Sequence, residues 1–145
     1  ADPSAAKLVL CSRMTKTLVP LDVTRQLTFS FDLLDHLPKE LTRAGKVLRK
    51  ILPFAFRAQR QVLGREEIQL NAVVPVVMLT NPELFETHSQ AIDVECEGTL
   101  TTGMTVFDRR PVPEWRNNIE VATSMDATSV RDCVIRALQH AGSAS

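Results

Sequence analysis

The chain contains no tyrosine, one tryptophan and six phenylalanines, so it has few flat side chains on which bases could stack. Five glycines form no glycine-rich phosphate loop. The three cysteines, Cys11, Cys96 and Cys133, are odd in number and make no CxxC spacing. That excludes a zinc ribbon and a dense disulfide framework, and predicts reduced, buried thiols in a cytoplasmic protein. The three histidines, His36, His88 and His140, lie far apart and share no metal spacing with the cysteines. No apolar run approaches the roughly 20 residues that span a bilayer. The opening Ala1-Asp2-Pro3-Ser4 has neither a basic segment nor an apolar core, so no signal peptide is expected. Seventeen basic residues balance seventeen acidic ones, and no global field draws the chain to nucleic acid or an anionic membrane. Those partners are not expected.

What is present is ordinary for a globular domain. Of 145 residues, 44% are hydrophobic and 23% charged. That length predicts one domain, residues 1–145, with a real core. Asp2-Pro3 is a helix start, the aspartate as cap and the proline in the first turn, and predicts a helix to about Ser12. Thr17 to Asp22 reads as a short buried strand ending at Pro20 or Leu21, while Thr24 to Leu34 fits helix or strand. Leu41 to Leu63 is helical in pattern, with a kink or a break expected near Pro53 and a stop at Gly64. Val73 to Leu79 is apolar throughout, which periodicity alone leaves open between buried helix and buried strand.

Ala91 to Glu97 alternates, placing Ile92, Val94 and Cys96 on one face and Asp93, Glu95 and Glu97 on the other. A turn rich in Gly and Thr leads to a second strand, Met104 to Asp108. Arg109 to Asn118 reads as a surface loop, and Ile119 to Thr123 as a third strand. Asp126 caps a last helix whose Val130, Cys133, Val134, Ala137 and Leu138 form one stripe, ending at Gly142. The order predicts an α/β layered fold with a mixed sheet flanked by helices.

Three segments carry a resemblance. Asp2-Pro3-Ser4-Ala5-Ala6 and Val19-Pro20-Leu21-Asp22-Val23-Thr24 are two of them. The third runs from Asn81-Pro82-Glu83-Leu84-Phe85 through Ile92 to Gly98 and on to Val106-Phe107-Asp108-Arg109-Arg110. Together, in this order, they resemble the C-terminal half of the nucleoside hydrolases, enzymes that cut ribonucleosides into ribose and base. The third stretch comes late in that family, after a long half that carries most of the chemistry, whereas 80 residues precede it here.

The resemblance implies the C-terminal portion of a nucleoside-hydrolase-like layered fold and a helix at Val73–Leu79 with Pro75 in its first turns. It also implies hydrolysis of an N-glycosidic bond, with calcium held by aspartates. The aspartate-rich metal motif has no counterpart in these residues, so no metal site and no cofactor is expected within the chain. A His-Asp pair is implied fourteen residues before Phe85, where this sequence has Asn71 and Ala72. No catalytic residue is therefore expected, and the isolated chain is predicted inactive. Gln59, on the segment that lies over the active site in the resembled enzymes, is the candidate base-contacting residue. The implied partners are a second copy of the chain or an N-terminal half, with nucleoside bound only after completion.

Two other clusters stand beside this reading. Asp93, Glu95, Glu97 and Asp108 offer carboxylates for a cation or for glycoside chemistry, against the plainer role of a solvated strand face. Lys39, Arg43, Lys46, Arg49, Lys50, Arg57 and Arg60, opposed only by Glu40, form a basic segment. That segment suits a polyanion-binding α/β protein; a non-catalytic binding or assembly module that kept the resembled scaffold is a separate alternative.

Overall fold

The computed structural model describes residues 2–38 and 42–141. The expected helix start at Leu41 and stop at Gly142, and Lys39 and Glu40 of the basic segment, lie outside the described residues. In chain order the elements are α1 (Pro3–Cys11), β1 (Thr17–Leu18), α2 (Leu21–Thr24), β2 (Thr28–Phe29), a 3₁₀ turn (Phe31–His36) and α3 (Arg43–Leu63). There follow β3 (Ile68–Gln69), α4 (Val73–Thr80), a 3₁₀ turn (Pro82–Leu84), β4 (Phe85–Gln90), β5 (Ile92–Val94), β6 (Thr105–Phe107), β7 (Ile119–Met125) and α5 (Ala127–His140). The chain is α/β, as its pattern predicts. Among the described residues no helix is long and apolar enough to cross a membrane. The chain resolves into two compact units.

The first unit comprises residues 1–20 and 86–124. Its three-stranded sheet has the order β1-β7-β4. β1 runs parallel to β7, pairing Thr17 with Glu120 and Leu18 with Val121. β5 and β6 form a separate antiparallel ladder, Ile92 opposite Phe107 and Val94 opposite Thr105. The core gathers Leu10, Ile92, Val94, Ile119 and Val121, with Leu18, Cys96 and Phe107 packed against it. α1 starts as its sequence predicts, since the Asp2 carboxylate accepts from the Ala5 N–H at 3.0 Å.

Asn118 fastens this unit. Its side-chain oxygen accepts from the Ile92 N–H at 3.0 Å, and its amide donates to the Ile92 carbonyl at 2.9 Å and the Leu10 carbonyl at 3.4 Å. Its backbone N–H donates to the Gln90 carbonyl at 2.9 Å. One side chain thus substitutes for a missing strand neighbour at β5 and reaches the end of α1 as well.

The second unit comprises residues 21–85 and 125–145. Val23, Leu27, Phe29, Leu33, Phe56, Val74 and Val130 are its most completely buried side chains. β2 and β3 pair antiparallel, Phe29 opposite Ile68. Arg131 of α5 donates to the Thr28 carbonyl and sits 5.2 Å from the centroid of the Phe29 ring. α4 is helical, with Pro75 in its first turn, as the resemblance implies.

Four expectations change. The break at Pro53 does not occur, because α3 is one helix of 21 residues. A proline's fixed φ is itself helical, and the loss is confined to one N–H and crowding at one carbonyl. Burial of Leu52 and Phe56 on either side holds the helix through that point. Its stop at Gly64 is the expected one, and its start is a capped turn. The Thr42 hydroxyl accepts from the Gly45 N–H at 2.9 Å, and Gly64 closes the helix at φ 64°.

The strand expected over Thr17–Asp22 stops at Leu18, and Leu21 to Thr24 turn helical. Pro20 supplies no N–H to a ladder, which ends the strand there. Ala91–Glu97 narrows to Ile92–Val94, because the Glu95 carboxylate accepts from the N–H groups of Glu97 at 2.7 Å and Gly98 at 3.0 Å and bends the chain away. β4 was not expected. Its Glu86-Thr87-His88-Ser89 stretch is exposed and lacks alternation, and it is a strand because it lies beside β7.

Two substitutions test this packing. Phe56 is 1% exposed and Phe54 66% exposed on the same helix. Phe56→Ala should cost about 3–5 kcal/mol in urea unfolding, with Phe54→Ala nearly neutral. Asn118→Ala strands the N–H and carbonyl of Ile92, and should cost about 1–3 kcal/mol by the same measurement.

Candidate functional site

Gln59 lies on the last turns of α3, half-buried, in a cleft of about 520 Å³. Thr28, Leu63, Arg65, Glu66, Glu67 and Gln69 complete its lining. The site exists because Gly64 ends α3 in a left-handed turn and returns the chain along β3. Among the described residues the Gln59 amide has no hydrogen-bond partner, so its donor and acceptor are both available to a ligand. Arg60 and Glu66 stand 4.0 Å apart across the helix end, both solvent-exposed, and add little rigidity. A second cleft on the same stretch, about 400 Å³, runs past Gln59 to Ile68, Gln69 and Leu70.

Asn71 and Ala72 follow directly, both exposed in the turn before α4. Ala72 occupies the N-cap position without a side-chain cap. Neither lines the Gln59 cleft. An asparagine amide does not donate a proton near neutral pH, and alanine has no donor atom for a metal. The histidines lie elsewhere. The His36 ring meets the Gln139 amide at 3.3 Å, His140 lies 2.8 Å from the Arg136 carbonyl, and His88 is exposed on β4.

The motif residues that carry the family resemblance hold the chain in place. Asn81 caps α4, accepting from the Thr80 hydroxyl at 3.0 Å and donating to Glu83 at 3.2 Å. Phe85 is buried, and the Leu84 carbonyl accepts from the Asp126 N–H at 2.9 Å. Asp108 organises the 109–118 loop. One oxygen accepts from Arg110 Nε at 2.8 Å, and the other from Arg110 Nη2 at 2.9 Å and from the N–H groups of Glu114 and Trp115 at 2.8 and 2.9 Å. Arg110 also pairs with Glu114 at 2.5 Å.

These bonds decide the acidic cluster. The Arg110 guanidinium, with the N–H groups behind it, holds the Asp108 carboxyl far below the usual carboxylate range. Asp93 pairs with Lys7 at 3.0 Å. Partial desolvation pushes its carboxyl up, but hydrogen bonds from Lys7 and the Val94 N–H outweigh it and lower the pKa. The N–H groups of Glu97 and Gly98 lower that of Glu95. Calcium needs six to eight oxygen ligands converging on one point. These carboxylates instead serve Lys7, Arg110 and their own turns. Among the described residues no group of three or more His, Cys, Asp or Glu side chains is placed to hold a metal. The residues described do not fit the calcium that the resemblance implies.

Of the basic segment, Arg43, Lys46, Lys50, Arg57 and Arg60 lie exposed along α3. Arg49 is structural, donating to the Pro38 and Leu37 carbonyls at 3.0 and 3.2 Å.

Comparison with known proteins gives a consistent result. The model of the family described as inosine-uridine preferring nucleoside hydrolase matches residues 1–132. The non-specific ribonucleoside hydrolase RihC of Salmonella paratyphi B is 33% identical over 140 residues, covering 97% of this chain and 44% of its own length. RihC of Salmonella heidelberg is 34% identical over 133 residues, 92% of this chain and 42% of the relative. Among solved structures, a purine-preferring ribonucleoside hydrolase from Gardnerella vaginalis superposes with a TM-score of 0.85 at 23% identity, covering 99% of this chain and 46% of its own. The plant nucleoside hydrolase PpNRh1 gives 0.77 at 21%, with coverages of 99% and 46%. The chain spans less than half the length of the relatives it matches.

The engaged carboxylates set an acid dependence. Asp108 and Glu95 titrate below their ordinary values of 3.8 and 4.5, so their stabilisation is complete above those values. It is lost as pH falls through them towards the lower folded-state values. Thermal midpoints measured downward from pH 7 should therefore be flat and then fall below about pH 4.5. Asp108→Asn should lower the midpoint at pH 7 and flatten the acid limb. An unchanged limb in that variant would show that Asp108 does not organise the loop.

Proposed function

The chain belongs to the inosine-uridine preferring nucleoside hydrolase family, and from that membership we propose that it supplies the base-facing part of a ribonucleoside-cleaving site without the groups that perform the cleavage. N-glycosidic hydrolysis passes through an oxocarbenium-like state and needs a positioned nucleophilic water and a proton donor for the leaving base. One observation carries the reading. The position where the family resemblance implies a His-Asp pair holds Asn71 and Ala72, both exposed, which supply neither a proton donor near neutral pH nor a carboxylate. The carboxylates of Asp93, Asp108 and Glu95 are occupied by Lys7, Arg110 and backbone N–H groups respectively. On this reading the isolated 145 residues do not turn nucleosides over, and a polypeptide equivalent to the other half of a relative is required.

The substrate class is a ribonucleoside, with Gln59 as the contact to its base. Its unpaired amide offers one acceptor and two donors, a match for the edge of a purine or pyrimidine. The half-buried position on α3 limits water around those atoms without sealing them.

Highly purified chain incubated with inosine or uridine and calcium should release no ribose above buffer. Sustained release would overturn the proposal. In the presence of a separately expressed N-terminal half of a RihC relative, the wild-type chain should bind inosine, and Gln59→Ala should weaken that binding roughly three- to tenfold. Equal binding by the two would remove Gln59 from the site. Asn71→His with Ala72→Asp, in the same mixture, should yield ribose release that wild type lacks. Equal turnover by wild type would show that the chain's own residues suffice at that position.

A further inference from the structure

Two clefts meet at a pair of amides. Gln59, Leu63 and Gln69 line both the cleft of about 520 Å³ and the neighbouring one of about 400 Å³. Gln59 comes from α3 and Gln69 from β3, where Ile68 is buried opposite Phe29 and alternation puts Gln69 on the other face. Both glutamines are half-buried. Among the described residues neither side chain makes a hydrogen bond, and the side chains of Arg65 and Glu67 make no ion pair. A half-buried amide without a partner is partly desolvated and uncompensated, so two of them on one cleft point to a ligand.

The surroundings define that ligand. On one side Ala58, Val62 and Leu63 give an apolar wall that suits the face of a flat ring. On the other, Glu66 and Glu67 stand against Arg65 alone, so the rim carries a net negative charge. Glu66 faces Arg60 at 4.0 Å, which leaves Glu67 as the open acceptor. An amide does not choose between base edges, because it can turn to present its oxygen or its NH2. A carboxylate does choose, since it only accepts. The exocyclic amine of adenine or cytosine has two N–H donors, one for a glutamine carbonyl and one for Glu67. A ring nitrogen beside it accepts from the amide NH2. The exocyclic oxygen of hypoxanthine or uracil would meet the same carboxylate acceptor to acceptor, leaving both without a donor.

We propose that Gln69 and Glu67, acting with Gln59, make this cleft selective for the amino-bearing bases adenine and cytosine over the oxo-bearing hypoxanthine and uracil. The inference rests on the reading of Gln59 as the base contact. It assigns a preference opposite to the inosine and uridine of the family's description.

The test is nuclear magnetic resonance on the full, isotope-labelled chain, following the side-chain amides of Gln59 and Gln69 during titration with each of the four free bases. Both amides should shift with adenine and cytosine, at dissociation constants about tenfold below those of hypoxanthine and uracil. Glu67→Gln, at an exposed position, should remove most of that preference. Gln69→Ala should weaken adenine binding roughly three- to tenfold, with circular dichroism confirming the fold. Equal affinity for all four bases, or a preference untouched by Glu67→Gln, would overturn the inference and leave Gln59 as a base contact. A preference for the oxo-bearing bases that disappears in Arg65→Ala would overturn it in favour of an edge read by the guanidinium. If no base moved the Gln59 amide, the inference and the reading beneath it would fall together.

Discussion

The first unit depends on a single amide. β5 has three residues and one ladder partner, β6, so its other edge requires donors and acceptors from elsewhere. Asn118 supplies both to Ile92 and adds a bond to the Leu10 carbonyl, where α1 ends. A buried N–H and carbonyl without partners cost more than an ordinary hydrogen bond returns. The amide therefore fixes where β5, the start of β7 and the end of α1 lie with respect to one another. Ile92, Ile119 and Leu10 belong to one core cluster because of that fixing.

The same economy governs the acidic residues and limits the chemistry. A carboxylate that organises a turn is held in its ionised form by N–H groups and cations at 2.7–3.0 Å. Such a group is poorly suited to proton transfer, since its pKa is driven away from neutrality. It is equally poorly suited to a metal, whose arrival would require breaking the bonds that shape the loop. Asp108 is the clearest case. Its side chain is 1% exposed and both oxygens are committed to the 109–118 loop. The segment from Asn81 to Arg110, which carries much of the family resemblance, thus serves as scaffold.

Legibility in the sequence followed the range of the forces involved. α1, α3 and α5 were readable because their caps and stripes are local. Asp2 and Asp126 accept from N–H groups two or three residues ahead, and Gly64 takes a positive φ, whereas the Thr42 cap of α3 is not singled out by the pattern. β4 was not readable, because its polar residues become a strand through β7, some thirty residues later in the chain. Asn118 reads as the end of a loop, and nothing local announces that its amide bonds Ile92 and Leu10. Gln59 follows from the resemblance and not from any local pattern, and it lines a cleft. Periodicity distinguishes the faces of α3 but does not assign their occupants. Arg49 sits among the exposed cations by pattern, yet it is bonded to Leu37 and Pro38.

The charge segregation of α3 gains meaning from that exception. A solvated outer face usually mixes signs, because acid–base pairs four residues apart help the helix and like charges at that spacing oppose it. α3 forgoes every such pair and sets Lys46 and Lys50 four residues apart. It also leaves Val47, Ile51 and Phe54 in water beside them. Each feature costs the isolated helix something, and neither is needed to bury Leu52 or Phe56.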